Sequence, residues 1–556
     1  MGGARWRIGV VLGAGAVILA PVALVVYQSF LTAPFFSPRA KLSLGAYGFV
    51  VGDEDFYAAL ANSIVLAGSM AVIAVPLGAV LAYLVTRTDL PLRRVLEPVL
   101  LIPLFVSPMV LAFGYVVVLG PVGFITTFWI EHIGTPPWNI YSIPAMAVIV
   151  GLTHVPHVYL YVSTALRLVP SDVEEAARVA GAPPHAVART VTLPLVLPAI
   201  AVSGVLVFFL GFELFGLPYV LGDPNGTLVL STYLYKLTAR LGTPSYQLMA
   251  VVVVAIMLIT LPLVLMQRFL ISRVERYAVA GPRASRPRIM SLGAWRFVAL
   301  AAIGLWLVAV VVLPVAGIAL RSVVRTWGLG VTLSDMLTLH HYAAIGAMRG
   351  VGRSIVNTLV IAIVGGLLSV AIYAALVLAT HRWPSVWARL LDHLVLLPRA
   401  MPGIVAGLAV FWLFLFLPPL KPFVSTLVSV WIAYTLVWLP FGLRLVSNSV
   451  GQIGRDLEDA ARVIGAGTGR IARDVTLPLA RHGLTAAWLL TFLLFVREYS
   501  TGIYLLAPGS EVMGSMLVNL WTAGNIDVVS ALSVINTAVI AVGIAIALRL
   551  QVALSE

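Results

Sequence analysis

The chain has 556 residues, of which 61% are hydrophobic and only 10% are charged, and it contains no cysteine. A soluble domain is about 45–50% apolar and about 25% charged, so this composition excludes a soluble enzyme, a fibrous protein and a disordered chain. The absence of cysteine excludes disulfides, thiolate nucleophiles and iron–sulfur clusters. The formal net charge is +13.

Apolar stretches long enough to cross a bilayer recur from one end of the chain to the other. We predict an all-α polytopic membrane protein with twelve spans, six in each half. In the first half the predicted spans are 8–30, 60–86, 95–119, 140–166, 194–220 and 245–271. In the second half they are 295–319, 353–380, 390–416, 422–447, 480–506 and 528–550. The first apolar stretch is too long for a typical signal peptide, so we expect it to be retained as a span.

The basic residues indicate the orientation of these spans. Most of the 35 Lys and Arg residues fall in the termini and loops of one side, which is typical of the cytoplasmic side of a membrane protein. We therefore expect both termini in the cytoplasm. No basic patch is interleaved with exposed aromatic residues, so the positive charge does not indicate nucleic-acid binding.

The chain is an internal duplication. AARVAGA at 176–182 returns as AARVIGA at 460–466, and VTLPL at 191–195 returns unchanged at 475–479, both after 284 residues. NSIV at 62–65 corresponds to NTLV at 357–360 after 295 residues. The predicted organisation is a first six-span domain at 1–271, an Arg- and Pro-rich cytoplasmic linker at 272–294, and a second domain at 295–556.

The same polar motif lies between the fourth and fifth spans of each half. An acidic residue and two alanines are followed, six residues after the acid, by a glycine, and later by Leu-Pro at 193–194 and 477–478. The pattern predicts short helices at 172–180 and 456–464, with acids first and an arginine last, as suits the helix dipole. The glycine permits a sharp turn, and each proline is expected where a new helix begins.

This motif resembles the EAA signature of the permease subunits of bacterial ABC importers. The resemblance implies two fused type I importer transmembrane domains, with coupling helices near 172–183 and 456–467 that dock on a dimer of ABC ATPase subunits. Asp459 stands where the signature usually has Glu, and Glu458 beside it can compensate. The residues expected to couple to the ATPase are Glu174, Glu175, Ala176, Ala177 and Gly181 in the first half and Glu458, Asp459, Ala460, Ala461 and Gly465 in the second.

Within this superfamily the chain resembles the fused twelve-span permeases for ferric iron. The resemblance rests on FELFGLPYVLG at 212–222, TLVLSTYLY at 227–235 and REYSTGIYLLAPGSE at 497–511. It implies a bacterial inner-membrane permease that receives ferric iron from an extracytoplasmic substrate-binding protein. Related permeases carry thiamine, polyamines or phosphonates, which remain alternatives. An ion-coupled secondary transporter with two parallel halves is a more distant alternative.

The chain lacks the signatures of an enzyme. No G-x4-G-K-[ST] phosphate loop occurs, so we expect the partner ATPase, and not this chain, to bind ATP and Mg. No HExxH or GxSxG motif is present either. We expect a transport subunit without a cofactor of its own.

Charged residues within the predicted spans are candidates for the transport pathway, because buried charge in a bilayer is costly. They are Glu213, Glu498, Arg399 and Arg497. The glutamates are expected either to line the pathway or to form interhelical ion pairs, and the arginines are better explained by packing. His154 and His157 could ligate a metal, but their spacing beside Pro156 is more typical of helix packing.

Overall fold

The structure is a computed structural model that describes residues 2–239, 245–278, 289–331, 336–424 and 426–555. Within these ranges the chain forms helices and isolated β-bridges, without a β-strand. The predicted linker at 272–294 is only partly covered, because residues 279–288 lie outside the described residues.

The helices range in length from four residues to 34. The first half contains α1 Gly2–Ser29, α2 Gly45–Gly52, α3 Glu54–Arg87, α4 Arg93–Val99, α5 Pro108–Leu119, α6 Phe124–His132, α7 Ile143–Leu168, α8 Ser171–Val179, α9 Pro184–Val187, α10 Leu193–Glu213, α11 Gly216–Leu221, α12 Leu230–Ala239 and α13 Tyr246–Ala278. The second half begins with α14 Trp295–Leu307, α15 Leu313–Ser322, α16 His340–Ala347, α17 Arg349–Val360, α18 Gly366–Thr380, α19 Val386–Leu394, α20 Leu396–Arg399 and α21 Gly403–Phe416. It ends with α22 Leu427–Val437, α23 Leu439–Gly451, α24 Arg455–Val463, α25 Thr468–Ile471, α26 Leu477–Arg497, α27 Met513–Thr522 and α28 Ile526–Ser555.

The prediction of a polytopic helical membrane protein is confirmed. Ten helical segments of the described residues are long and apolar enough to cross a membrane, and two bent helix pairs raise the number to twelve if each pair is one span. The boundaries differ most at three spans. Pro108–His132 takes the place of the predicted third span 95–119, Pro184–Glu213 that of the fifth span 194–220, and Thr468–Arg497 that of the eleventh span 480–506.

Prolines account for the broken third span of each half. In the first half, α4 ends at Val99, and a short 3₁₀ turn at Ile102–Leu104 precedes α5, which begins at Pro108. In the second half, the pair Val386–Arg399 and Gly403–Phe416 is bent by 109° around Pro402. A proline disfavours helix at the residue before it and cannot donate a backbone hydrogen bond, so a helix ends there and the next one begins.

Pro194 and Pro478 lie in the first turns of α10 and α26, as predicted, but neither helix starts from a loop. Pro194 lies inside the continuous helical segment Pro184–Glu213, and Pro478 lies inside Thr468–Arg497. A π-helical turn precedes each of them, at Ala188–Thr192 and Ala472–Thr476. This wider turn changes the hydrogen-bond register just before the proline, so the helix continues despite the missing N–H.

The described residues divide into two compact units. Unit 1 consists of Met1–Gly52, Leu237–Met257 and Thr338–Glu556, and unit 2 consists of Asp53–Lys236 and Leu258–Leu337. In unit 1, α1 packs on α18, α19 and α21, which come from the second sequence half. In unit 2, α15, from the start of the second half, packs on α5. Each unit therefore contains the first span of the other sequence half.

Small residues allow the helices of each unit to approach closely. In unit 2, a Cβ atom on Gly114 of α5 would lie 2.4 Å from the Pro314 carbonyl oxygen of α15. In unit 1, a Cβ atom on Gly442 of α23 would lie 2.1 Å from the Tyr373 ring of α18. Close backbone approach through small residues is how membrane helices gain packing energy without a hydrophobic driving force.

Candidate functional site

The first predicted coupling helix is α8, Ser171–Val179. Asp172 and Glu174 lie in its first turn and Arg178 in its last, an arrangement that the helix dipole favours. After the helix, Gly181 has a φ of +90°, and the Ala182 N–H donates to the Ala177 carbonyl at 3.0 Å. This is the glycine-terminated helix end that the sequence predicts, because a residue with a side chain is strained at such a φ.

The second predicted coupling helix, α24, repeats this geometry. It spans Arg455–Val463, with Asp456 and Glu458 in the first turn and Arg462 in the last. Gly465 has a φ of +85°, and the Ala466 N–H donates to the Ala461 carbonyl at 3.0 Å. The predicted pair of short helices is thus confirmed as structure.

Glu174 attaches α8 to the end of α3. The Arg87 Nη1 atom donates to Glu174 Oε2 at 3.1 Å, and the Thr192 hydroxyl donates to Glu174 Oε1 at 2.7 Å. Arg87 also donates through Nη2 to the Val169 carbonyl at 3.1 Å. Arg87 and Glu174 are both buried. Glu174 therefore faces the body of the protein and is not available to a docking partner.

Glu458 attaches α24 to the end of α18 in the same way. Its carboxylate lies 2.7 Å from Arg382 Nη1 and 3.0 Å from His381 Nε2. Arg382 Nη2 donates to the Ile453 carbonyl at 2.8 Å, which repeats the bond from Arg87 to Val169. Glu458 thus corresponds to Glu174. Because it is buried, it does not replace a surface carboxylate, and Asp459 itself lies where Glu175 lies in α8.

The opposite face of each short helix is exposed and partly apolar. Glu175, Ala176, Asp459 and Ala460 are exposed, while Ala177 and Ala461 are half-buried. Beside them, Val179 is 89%, Val463 86% and Ile464 85% exposed. These faces are the surfaces that the sequence predicts for docking of ATPase subunits. We call these two exposed faces the docking faces.

The charged residues predicted for the pathway have different surroundings. Glu498 is buried, and its Oε1 atom accepts from the N–H and hydroxyl groups of Ser500 and Thr501 at 3.0–3.2 Å. Trp438 Nε1 donates to its Oε2 atom at 3.2 Å. Five donors on one carboxylate favour the packing interpretation for Glu498. They fix the chain where it leaves α26.

Glu213, Arg399 and Arg497 are half-buried. Glu213 is the last residue of α10, and Arg497 is the last residue of α26. By the repeat of 284 residues, Glu213 therefore corresponds to Arg497 and not to Glu498. The positions of these predicted residues do not identify a pathway.

His154 and His157 stack on each other, with ring centroids 5.2 Å apart and planes 14° from parallel. The His154 Nδ1 atom bonds to the Val150 carbonyl at 2.8 Å, which is a packing contact within α7. Among the described residues, no three His, Asp or Glu side chains are grouped so that they could hold a metal.

Sequence reasoning missed Arg87, His381 and Arg382, which hold the short helices in place. A signal for them exists, because Arg87 and Arg382 are 295 residues apart, the same offset as NSIV and NTLV. It also missed Glu511, which forms a two-bond ion pair with Arg353. The distances are 2.9 Å from Nε to Oε2 and 2.6 Å from Nη2 to Oε1.

Comparison with known protein families adds an independent line of evidence. The model of the family described as "binding-protein-dependent transport system inner membrane component" matches residues 74–276 and again 368–556. Together the two matches cover more than half of the chain, once in each predicted half. Each match includes one of the short helices.

Curated relatives include ferric transport system permease proteins. The protein FbpB of Actinobacillus pleuropneumoniae is 23% identical over 507 residues, which cover 90% of this chain and 71% of the relative. A protein named as a putative ferric transport system permease in Haemophilus influenzae is 23% identical over 89% of this chain and 76% of its own length. The molybdenum transport system permease ModB of Mycobacterium tuberculosis is 28% identical over 41% of this chain and 88% of its own.

Two solved structures are also similar. One shows inward-facing conformations of the MetNI methionine ABC transporter, with a TM-score of 0.32, 23% identity, and coverage of 37% of this chain and 97% of that one. The other is a bacterial ABC transporter for the acidic polysaccharide alginate, with a TM-score of 0.37, 19% identity, and coverage of 46% of this chain and 88% of that one.

Proposed function

The chain belongs to the family of binding-protein-dependent transport system inner membrane components, and we propose that it imports ferric iron in an ATP-driven process. It is a multi-pass inner-membrane protein and the permease subunit of an ABC importer. The observation that carries the choice of cargo is the similarity to ferric permeases over about nine tenths of the chain.

In the proposed mechanism, two ABC ATPase subunits bind the docking faces of α8 and α24, and the ATPases hold the ATP and Mg. A binding protein delivers ferric iron on the extracytoplasmic side. Closure of the ATPases moves the two short helices, and the pathway opens toward the binding protein. ATP hydrolysis then resets the helices, and the cargo is released into the cytoplasm.

The buried anchors explain how such a movement could reach the spans. Removing one partner of a buried ion pair costs about 3–5 kcal/mol, because the other charge is left uncompensated. Glu174 with Arg87, and Glu458 with Arg382, therefore keep each short helix attached to the end of a span. A displacement of α8 is passed to α3, and a displacement of α24 is passed to α18.

The coupling role can be tested by reversing the charge of the docking faces. Glu175→Lys together with Asp459→Lys should reduce ATP-dependent uptake to background and weaken ATPase binding, because both faces lose a carboxylate. A variant that exchanges the two acids, Glu175→Asp with Asp459→Glu, keeps both charges and should retain transport. Membrane levels of both variants are measured by immunoblot. Normal uptake by a well-inserted double-lysine variant would contradict the coupling role.

The cargo can be tested in proteoliposomes that contain the chain with the ATPase and binding protein that co-purify with it. We expect uptake of radioactive ferric iron that requires both ATP and the binding protein. Uptake of thiamine, a polyamine or a phosphonate, and not of iron, would identify that compound as the cargo. The assignment of the chain as a permease would be unaffected. Iron uptake driven by a proton gradient without ATP would instead support a secondary transporter.

A further inference from the structure

Beside α24, unit 1 contains a cavity of about 260 Å³ whose ionisable lining residues are mainly basic. The charged lining residues come from three elements. Arg7 belongs to α1, His381 and Arg382 follow α18, and Glu458 and Arg462 belong to α24. Three guanidinium groups, a histidine and one carboxylate thus line the same cavity.

The Glu458 carboxylate already has three basic side chains around it. Glu458 lies 3.0 Å from His381, 2.7 Å from Arg382 and 3.6 Å from Arg462. Arg462 is also paired with Asp459 on the outer side of the helix. Arg7, Arg382 and Arg462 carry three positive charges, and Glu458 and Asp459 carry two negative charges. The cavity is therefore surrounded by an excess of positive charge.

The excess positive charge is assigned to Arg7, because Arg382 and Arg462 are paired with acidic residues. The Arg7 guanidinium lies 5.7 Å from the ring centroid of Trp383 and 6.0 Å from that of Trp6. No carboxylate of the described residues forms an ion pair with Arg7, and Arg462, which carries the same charge, lines the same cavity. Two arginines that repel each other across a cavity are stabilised when an anion lies between them.

We propose that this cavity binds the phosphate-bearing headgroup of an anionic phospholipid between Arg7 and Arg462. Arginine donates to phosphate oxygens in a two-bond geometry, which suits this arrangement. The chemistry is shared with free phosphate, but the position favours a lipid. Arg7 lies at the beginning of the span Arg5–Ser29, and His381 and Arg382 directly follow the span Arg349–Thr380. This is where lipid headgroups contact a membrane protein.

The uncharged lining agrees with a lipid. Trp383 lines the cavity, and tryptophan is enriched at the level of the headgroups. Trp6 lies beside Arg7 but outside the lining. Leu378 and Ile471 add an apolar wall, against which the glycerol and the first methylene groups of a lipid can lie.

At the matching helix end of unit 2, two of the three residues differ. The repeat places Thr86 and Thr88 where the second half has His381 and Trp383, so only the arginine, Arg87, is shared. The end of the linker also occupies this place in unit 2. Met290 N–H donates to the Arg87 carbonyl at 2.8 Å, and Leu292 N–H donates to the Asp89 carboxylate at 2.8 Å. The histidine and the tryptophan of the proposed site are therefore not repeated beside the first short helix.

A headgroup bound in this cavity would connect α1 to the second short helix. It would neutralise the repulsion between Arg7 and Arg462 and hold α24 close to the membrane surface. This inference goes beyond the proposed function, because it does not depend on which cargo is carried or on whether α24 couples to an ATPase.

The test is native mass spectrometry of the full chain in mild non-ionic detergent, titrated with phosphatidylglycerol and, separately, with zwitterionic phosphatidylcholine. We expect the unmodified chain to prefer phosphatidylglycerol. Arg7→Gln and Arg462→Gln should each weaken its binding about tenfold, the effect of losing one charged hydrogen bond. The matched controls are Arg5→Gln on α1 and Arg178→Gln, the repeat equivalent of Arg462, and neither should change binding more than about twofold.

Arg7→Lys separates loss of binding from loss of folding. It keeps the charge and should retain most of the phosphatidylglycerol binding, whereas a misfolded chain would not. Equal binding by the unmodified chain and Arg7→Gln would overturn the proposal. So would equal affinity for the two lipids, or displacement of phosphatidylglycerol by millimolar inorganic phosphate, which would indicate a site for free phosphate. Displacement by saturating ATPase subunits would assign the cavity to the protein interface and would also overturn it.

Discussion

On the predicted extracytoplasmic side, the Glu511 carboxylate connects a side chain of α17 to the backbone of the loop before α27. It accepts two hydrogen bonds from Arg353 and one from the Gly509 N–H at 2.9 Å. Asn357 donates to the Gly509 and Glu511 carbonyls at 3.0 and 2.8 Å. The loop before α27 is thereby held against α17, and the bond from Arg353 is the main reason that the pKa of Glu511 lies below its usual range.

This lowered pKa predicts a pH dependence. A glutamate has a pKa of about 4.3 in an unfolded chain, so the stabilisation by Glu511 is complete above that pH and is lost as the pH falls through the lower folded pKa. Glu511→Gln should lower the free energy of unfolding by about 1–2 kcal/mol at pH 7, because it removes a charged hydrogen-bond acceptor. Thermal unfolding in detergent from pH 3 to pH 7 measures this difference.

The difference between the unmodified chain and Glu511→Gln should shrink steadily below about pH 4. Glu54→Gln, which neutralises an exposed carboxylate at the start of α3, controls for the general effect of removing a charge. If the deficit of Glu511→Gln were as large at pH 3 as at pH 7, the stabilisation would not come from the ionised carboxylate.

At the scale of an element, each short helix has two neighbouring acids with opposite roles. Glu174 and Glu458 are buried and hold the helix, while Glu175 and Asp459 are exposed on the docking faces. The sequence predicts the helix and its glycine end, because caps, charges and turn residues act over a few positions. It does not tell which acid faces inward, because that depends on Arg87, which lies 87 residues before Glu174, and on Arg382, which lies 76 residues before Glu458.

The glycines that follow α8 and α24 allow a test of how these helices end. Gly181→Ala and Gly465→Ala place a side chain at φ values of +90° and +85°, which costs about 1–2 kcal/mol. The bond from the Ala182 N–H to the Ala177 carbonyl, and its counterpart in the second half, should open more often. We expect hydrogen exchange at these amides to accelerate roughly five- to thirtyfold, as measured by mass spectrometry of peptides that cover 171–187 and 455–471.

Gly467→Ala is the matched control for this measurement. Gly467 lies two residues after Gly465, but its φ is −72° and a Cβ atom there would meet nothing within 4 Å. It should leave the exchange of the α24 end unchanged. Equal acceleration by Gly465→Ala and Gly467→Ala would mean that the positive φ does not determine how the helix ends.

At the scale of the whole molecule, the compact units differ from the sequence halves. The repeat divides the chain near 272–294, yet α1 packs with helices of the second half and α15 packs with α5 of the first. Hydropathy cannot reveal which helices pack together, because the hydropathy of an apolar helix does not depend on its neighbours. The halves at 1–271 and 295–556 therefore remain a prediction about sequence duplication and do not describe the packing.

A substitution in α5 can test whether α5 and α15, which come from different sequence halves, pack closely in unit 2. Gly114→Ala would place a Cβ atom 2.4 Å from the Pro314 carbonyl oxygen and should lower the free energy of unfolding by about 1–3 kcal/mol through overpacking. Gly304→Ala on α14 is the control, since its Cβ atom would meet nothing within 4 Å. Thermal unfolding in detergent compares the two. If both variants were equally stable, α5 and α15 would not be in close backbone contact.

The sequence by itself determined the features that depend on nearby residues. Apolar length identified the spans, the internal repeat identified the duplication, and acid, alanine and glycine spacing identified α8 and α24. The other features became visible only in the tertiary structure: which acids are buried, where Pro194 and Pro478 are accommodated, which helices share a unit, and that Arg7 and Arg462 line one cavity. These features arise from contacts between residues that are distant along the chain, and a local pattern carries no information about such partners.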